Sequence, residues 1–186
     1  MHCTNCVYKG QLPVSKFINT ETTWLNLCEF ADKVYNHRPR MLLYRSQNIT
    51  LIIFSSLKFR TMGTSSDETA HSFIVQEFLL RSDRNYFNLM MDEGMDLTLS
   101  TMTMVHHLPH PVCLDLLPSD FFLFEPEIFN AASLRFAITS SPNHPHVNVF
   151  NSGAVVMTGV RSFTHASHLL CHLLTVLPVN CYVHAC

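Results

Sequence analysis

The residues best suited to chemistry lie at the two ends of the chain and in its histidines. Cys3-x-x-Cys6, with Cys181, His184 and Cys186 at the far terminus, has the composition of a zinc site. Two features weigh against it: Cys3 and Cys6 fall inside an alternating, strand-like segment, and the C-terminal spacing is irregular. His106-His107 and His110 lie between proline-rich stretches and read as loop histidines. His165 and His168 share a helical face, but no carboxylate accompanies them in that helix. There is no Gly-rich phosphate loop, nucleophile elbow or helical metal-ligand pair. The expectation is a protein that is not an enzyme and carries no cofactor.

A different group of residues gains meaning from repetition. Phe54-Ser-Ser-Leu-Lys-Phe-Arg-Thr-Met-Gly63 recurs as Phe150-Asn-Ser-Gly-Ala-Val-Val-Met-Thr-Gly159, matching at the phenylalanine, the second serine and the final glycine at an offset of 96. Each copy follows a β-rich run, Ile49–Phe54 or His146–Phe150, so each reads as strand, tight turn, strand. The match continues from Ser66–Leu80 to Ser162–Val176. There Ala70, Phe73, Ile74 and Phe78 face Ala166, Leu169, Leu170 and Leu174, the stripe of an amphipathic helix. Ser65 or Ser66 caps the first copy, and Asp67-Glu68 suit its positive end. Upstream, Trp24, Leu27, Cys28, Ala31 and Val34 form another helical stripe with Thr22 or Thr23 as cap. Its counterpart is Leu114–Leu117, shortened by Pro118. Each half therefore reads strand, helix, strands, long helix, with residues 1–82 as the first repeat and 83–186 as the second, joined near Arg81–Arg84 without a flexible linker. Such a duplication predicts an α+β fold, one continuous sheet with pseudo-two-fold symmetry.

Bulk composition bounds the rest. The 186 residues are 47% hydrophobic and 14% charged, with a net charge of −2. That is a compact globular composition, able to bury roughly 70% of its unfolded surface without staples. Seven cysteines, an odd number with no regular framework, read as reduced thiols of the cytosol or nucleus. No apolar run reaches the roughly 18 residues of a membrane span, so no membrane partner is expected. A nucleic-acid binder is usually basic, and the acidic balance is the first obstacle such a reading must survive.

Strand–helix repeats of this order resemble the TATA-box-binding protein family. The most specific residues are Phe124-Glu-Pro-Glu-Ile-Phe129 followed by Val147-Asn-Val-Phe-Asn-Ser-Gly-Ala-Val-Val-Met-Thr-Gly-Val-Arg161, with Leu51-Ile-Ile-Phe-Ser-Ser-Leu-Lys58 in the first copy. The family's second repeat has a similar Tyr-Glu-Pro-Glu-Leu-Phe loop and an Ile-Phe-x-Ser-Gly-Lys-Val-Val-Leu-Thr-Gly hairpin. The resemblance covers about Asn5 to Pro178. It implies a saddle: a curved antiparallel sheet whose concave face meets the A·T-rich minor groove of double-stranded DNA, with helices on the convex face. It also implies wedge residues that enter base steps and kink the duplex. Carried over, the wedges are Phe129 and Phe150 in the second repeat, and Phe54 with Met41 or Leu42 in the first. Asn5 and Asn88 match the central asparagines. Thr158 matches a groove threonine whose first-repeat partner is replaced by Met62, with Thr61 displaced by one. Arg45, Lys58, Arg135 and Arg161 match phosphate-facing positions, whereas Ala154 and Ser65 replace expected lysines. Glu125, Glu127 and Ile128 match a loop that contacts transcription factor IIB, implying that partner and the RNA polymerase machinery, and hence the nucleus or, for a virus-encoded paralogue, the site of viral transcription. Beside these stand plainer readings: the phenylalanines as core, the asparagines as turn residues, the arginines and lysines as solvated charges, and the Glu-Pro-Glu segment as a polar turn. A scaffold that kept the saddle and lost DNA binding is the alternative function.

Overall fold

In the computed structural model, residues 1–12, 20–79, 95, 97–135 and 144–182 are described. The chain divides into two compact units, residues 5–100 and residues 1–4 with 101–186. In the first unit, β1 (His2–Gln11, shared with the second unit) is followed by α1 (Thr20–Cys28), β2 (Lys33–Tyr35), β3 (Met41–Ser46), β4 (Ile49–Phe54) and β5 (Lys58–Thr64). Then comes α2 (Asp67–Ser72), which widens into a π-helix over Phe73–Leu79. The second unit holds most of β6 (Leu97–His107), then β7 (Phe122–Leu123), β8 (Ala131–Leu134), β9 (His146–Phe150), β10 (Ala154–Val160) and α3 (Phe163–Val176). The strand order is β2-β3-β4-β5-β1 in the first unit and β6-β10-β9-β8-β7 in the second.

Several local hydrogen bonds recur in the two matched segments. The Leu57 amide donates to the Phe54 carbonyl at 2.7 Å, and the Gly153 amide to Phe150 at 2.9 Å. The Leu57 carbonyl accepts from Leu12, and the Gly153 carbonyl from Leu108, both at 2.9 Å. Ser66 and Ser162 cap their helices by accepting from the amides three residues on, Thr69 at 3.2 Å and His165 at 3.0 Å. Gly63 and Gly159 both take positive φ, 88° and 76°. Each sits where its strand pairing slips, between Cys6 and Tyr8 in β1–β5 and between Met157 and Val160 in β10–β6. A bulge needs a residue that adopts this conformation without Cβ strain, which explains why both copies end on glycine.

In the first unit the helices cover one sheet face. Trp24 and Leu27 of α1 and Phe73 and Ile74 of the π-helix join Leu42, Tyr44, Leu51, Ile53 and Phe59 in one buried cluster. In the second unit Ala166, Leu169 and Leu173 of α3 are buried, as are Met104, Val147, Val149, Val155 and Met157 of the strands.

Four local expectations are corrected. Helix α1 already contains Thr22 and Thr23, so neither is its cap. Its apolar stripe stops at Cys28: Ala31 follows the helix and Val34 belongs to β2, because each packs on the same cluster from outside the helix. In α3 the face turned inward runs through Leu173, leaving Leu174 46% exposed; a step of seven from Ala166 keeps closer to one stripe than a step of eight. His106 and His107 are not loop residues but the end of β6, where alternation carries Met102, Met104 and His106 to one face.

One exchange tests the turn directly. Leu57 holds φ +61° where the second copy has Gly153, yet its side chain is fully buried. Leu57→Gly relieves about 1 kcal/mol of backbone strain but removes a core side chain worth about 2–5 kcal/mol. Urea unfolding should show a net loss of about 1–4 kcal/mol.

Candidate nucleic-acid interface

Alternation along the strands leaves a second sheet face in each unit that the helices do not cover. In the first unit it carries Val7, Lys9 and Gln11 of β1, Lys33 and Tyr35 of β2, and Met41, Leu43 and Arg45 of β3. Thr50, Ile52 and Phe54 of β4 and Lys58, Arg60 and Met62 of β5 complete it. Cross-strand register sets these in rows: Lys9 faces Arg60, which faces Ile52, which faces Leu43; Gln11 faces Lys58; Met41 faces Phe54; and Arg45 faces Thr50, which faces Met62. Five cations and no carboxylate occupy these positions. The net charge of −2 is therefore not spread evenly. Lys9 opposite Arg60 is a like-charge pair, an arrangement that costs stability unless an anion lies nearby.

At the turn end of this face is a hollow of about 1050 Å³. Its lining includes Lys9, Arg38, Arg40, Lys58 and Arg60, with Pro39 and Phe54, and again no acid. Arg40 is held at its rim by Glu21 at 3.0 Å and by the Trp24 ring, 5.5 Å from the guanidinium carbon.

The open face of the second unit has a different chemistry. Thr103, Val105 and His107 of β6, Ala154, Val156 and Thr158 of β10, His146, Asn148 and Phe150 of β9, and Ser133 of β8 lie on it. None carries a formal charge when the histidines are neutral. The Ser133 hydroxyl donates to the Asn148 side-chain oxygen at 2.8 Å. Phe129 and Phe150 meet edge to face, ring centroids 5.9 Å apart, and Phe129 is 43% exposed. Two rings braced in this way form a rigid apolar blade.

The remaining residues named from the sequence fall as follows. Asn5 lies on β1, its side-chain oxygen accepting from the Gly63 amide at 2.7 Å. Asn88 lies outside the described residues. Arg135 and Arg161 are exposed just beyond β8 and β10. Thr158 is on the open face opposite His146, whereas Thr61 is fully buried on the helix-covered face with no partner for its hydroxyl among the described residues. The open-face threonine of the first unit is instead Thr50, beside Met62. Glu125, Glu127 and Ile128 form a tight turn in which the Ile128 and Phe129 amides both donate to the Glu125 carbonyl at 2.9 Å. Ile128 is 79% exposed.

Register also locates the first-copy counterpart of Phe129. Phe54 pairs with Met41 as Phe150 pairs with Ala131. Phe129 stands two residues before Ala131, so its counterpart stands two before Met41, at Pro39. Leu42 is fully buried on the other face.

The open-face cations Lys9, Lys33 and Arg60 were missed in the sequence. The available signal was the i, i+2 spacing of Lys58 and Arg60 on a strand. His106 was also missed as a half-buried group: its shielded Nδ1 has no partner among the described residues, and partial burial lowers its pKa. Among the described residues no group of three or more histidine, cysteine or acidic side chains is placed to hold a metal ion, and no helix is long and apolar enough to cross a membrane.

No protein-family model matches the sequence, and no curated protein does. Among solved structures the chain is similar to Methanococcus jannaschii TBP, with a TM-score of 0.67 and 23% identity over 94% of this chain and 96% of that one. The likeness shows the fold: this chain has a TBP-like fold.

Proposed function

We propose that this chain is a TATA-box-binding-protein-like transcription initiation factor that binds double-stranded DNA through the minor groove and bends it. The observation that carries this reading is the open face of residues 5–100, where Lys9, Lys33, Arg45, Lys58 and Arg60 surround Met41, Leu43, Ile52 and Phe54 with no acidic residue at the outward strand positions; the Asp32 carboxylate lies at its edge, accepting from the Arg45 backbone amide. Cations answer phosphates, and apolar strand residues answer sugars and the few cues of an A·T minor groove. The TBP-like fold supports the same reading, as does the exposed Phe129–Phe150 blade, since apolar side chains wedge base steps. In this reading the two repeats form a pseudo-symmetric saddle with helices on its convex side. The Glu125–Ile128 turn docks a factor-IIB-like protein and, through it, the RNA polymerase machinery, in the nucleus or at the site of viral transcription. The chain works without catalysis.

A second reading, a transcription scaffold of this fold without DNA binding, draws on the uncharged open face of the second unit and on exposed Ile128. Fluorescence anisotropy with A·T-rich and G·C-rich duplexes between about 50 and 200 mM salt separates the two. The expected result is tighter binding to the A·T duplex and a log–log salt slope of roughly −3 to −5, at about 0.9 per phosphate engaged. Negligible binding to both duplexes at low salt leaves the scaffold.

A further inference from the structure

The two halves of the chain have the parts for different tasks on DNA. Beside Phe129 and Phe150 the second unit has an apolar blade and an open face without formal charge. At the corresponding place the first unit has a hollow. The counterpart of Phe129 is Pro39, so Phe54 has no second ring to brace it among the described residues, and cations line the space beside it. A blade enters a base step; a concave cationic surface receives a strand's phosphates. We propose that residues 5–100 act as a phosphate clamp, taking the backbone of one DNA strand into the hollow beside Lys9, Lys58 and Arg60, and that base-step wedging belongs to the Phe129–Phe150 pair alone.

This inference rests on the DNA-binding reading above and refines it: the duplex is kinked at one step rather than two. Three observations support the clamp. Arg38, Lys58, Lys9 and Arg60 have no ion-pair partner among the described residues. Lys9 and Arg60 are direct cross-strand neighbours, a repulsion that an intervening phosphate turns into attraction. Gln11 is pinned by its side-chain amide to the Ser56 carbonyl at 2.8 Å, which braces the turn at the hollow's edge.

The test measures two quantities on one end-labelled A·T-rich duplex: the salt slope of binding, and the bend at saturation by energy transfer between the labels. Lys9→Gln/Lys58→Gln/Arg60→Gln should reduce the slope by about 2 to 3, at about 0.9 per lost phosphate contact, and leave the saturated bend unchanged. Lys58→Gln alone should reduce it by about 0.9, and gives the same answer should the triple variant misfold. Phe129→Ala/Phe150→Ala should abolish most of the bend and keep the slope, while Phe54→Ala keeps the bend. DNA binding with an unchanged slope in the charge variants overturns the clamp and leaves the DNA-binding reading standing. A bend reduced as much by Phe54→Ala as by the double phenylalanine variant overturns the single wedge. A wild-type chain that binds no duplex removes both readings together.

Discussion

Gly63→Ala is expected to destabilise the chain by about 3 kcal/mol or more, and Gly159→Ala by only about 1–2 kcal/mol. Both glycines end the duplicated segment, and both sit at a bulge with positive φ. A β-carbon there costs about 1–2 kcal/mol of backbone strain in either copy. The copies differ in what that carbon meets. At Gly159 the nearest atom is the Pro145 Cα at 3.4 Å, an ordinary contact. At Gly63 it is the Asn48 carbonyl oxygen, far inside van der Waals contact. That oxygen is backbone, at the turn between β3 and β4, and cannot rotate away as a side-chain tip would. Movement of Gly63 would also pull its amide from the Asn5 side chain. Guanidinium unfolding of the two variants against the parent measures the difference. Equal losses would mean that Asn48 yields, and that strain in φ accounts for both.

The same contrast shows what the sequence could and could not reveal. The matching local features of the two segments were legible because they are written in local chemistry: a serine that caps, a turn that closes, a glycine at a bulge. Each depends on neighbours within a few residues, so each survives in the one-dimensional pattern. The β4–β5 and β9–β10 hairpins lie where their alternation and turn residues place them. Positions fixed by packing between distant segments were harder to see. Val34 belongs to a strand although its spacing from Trp24 and Leu27 is helical, because β2 brings it to the same cluster. His106 reads as surface from composition, but the period of two in β6 turns it inward beside Met104. The first-copy counterpart of Phe129 was hidden by unequal loops: Phe54 and Phe150 share the offset of 96, whereas their partners Met41 and Ala131 do not. Lys9 and Arg60 are 51 residues apart in the chain and adjacent only through strand register, so the cationic face is absent from any linear charge count.

Trp24→Ala carries the other large expected loss, about 3–5 kcal/mol, and it links the core to the proposed clamp. Trp24 is 1% exposed and is the largest side chain in the buried cluster of the first unit. Its ring also lies under the Arg40 guanidinium, whose other contact is the Glu21 carboxylate at 3.0 Å. Both charged partners of that bridge are substantially exposed, so the pair itself contributes at most about 1 kcal/mol. The ring therefore shares with Glu21 the seating of Arg40 at the rim of the hollow. Trp24→Phe keeps an aromatic face there while giving up part of the buried volume. It should cost about 1–3 kcal/mol, and DNA affinity at low salt should stay near that of the parent. Trp24→Ala, assayed below its midpoint where the chain is still folded, should lower both stability and low-salt affinity. Glu21→Gln should barely move stability and should raise affinity, since it removes the carboxylate that, among the described residues, competes with phosphate for Arg40. Unchanged affinity in both Trp24→Ala and Glu21→Gln would place Arg40 outside the contact surface and shrink the clamp to Lys9, Arg38, Lys58 and Arg60.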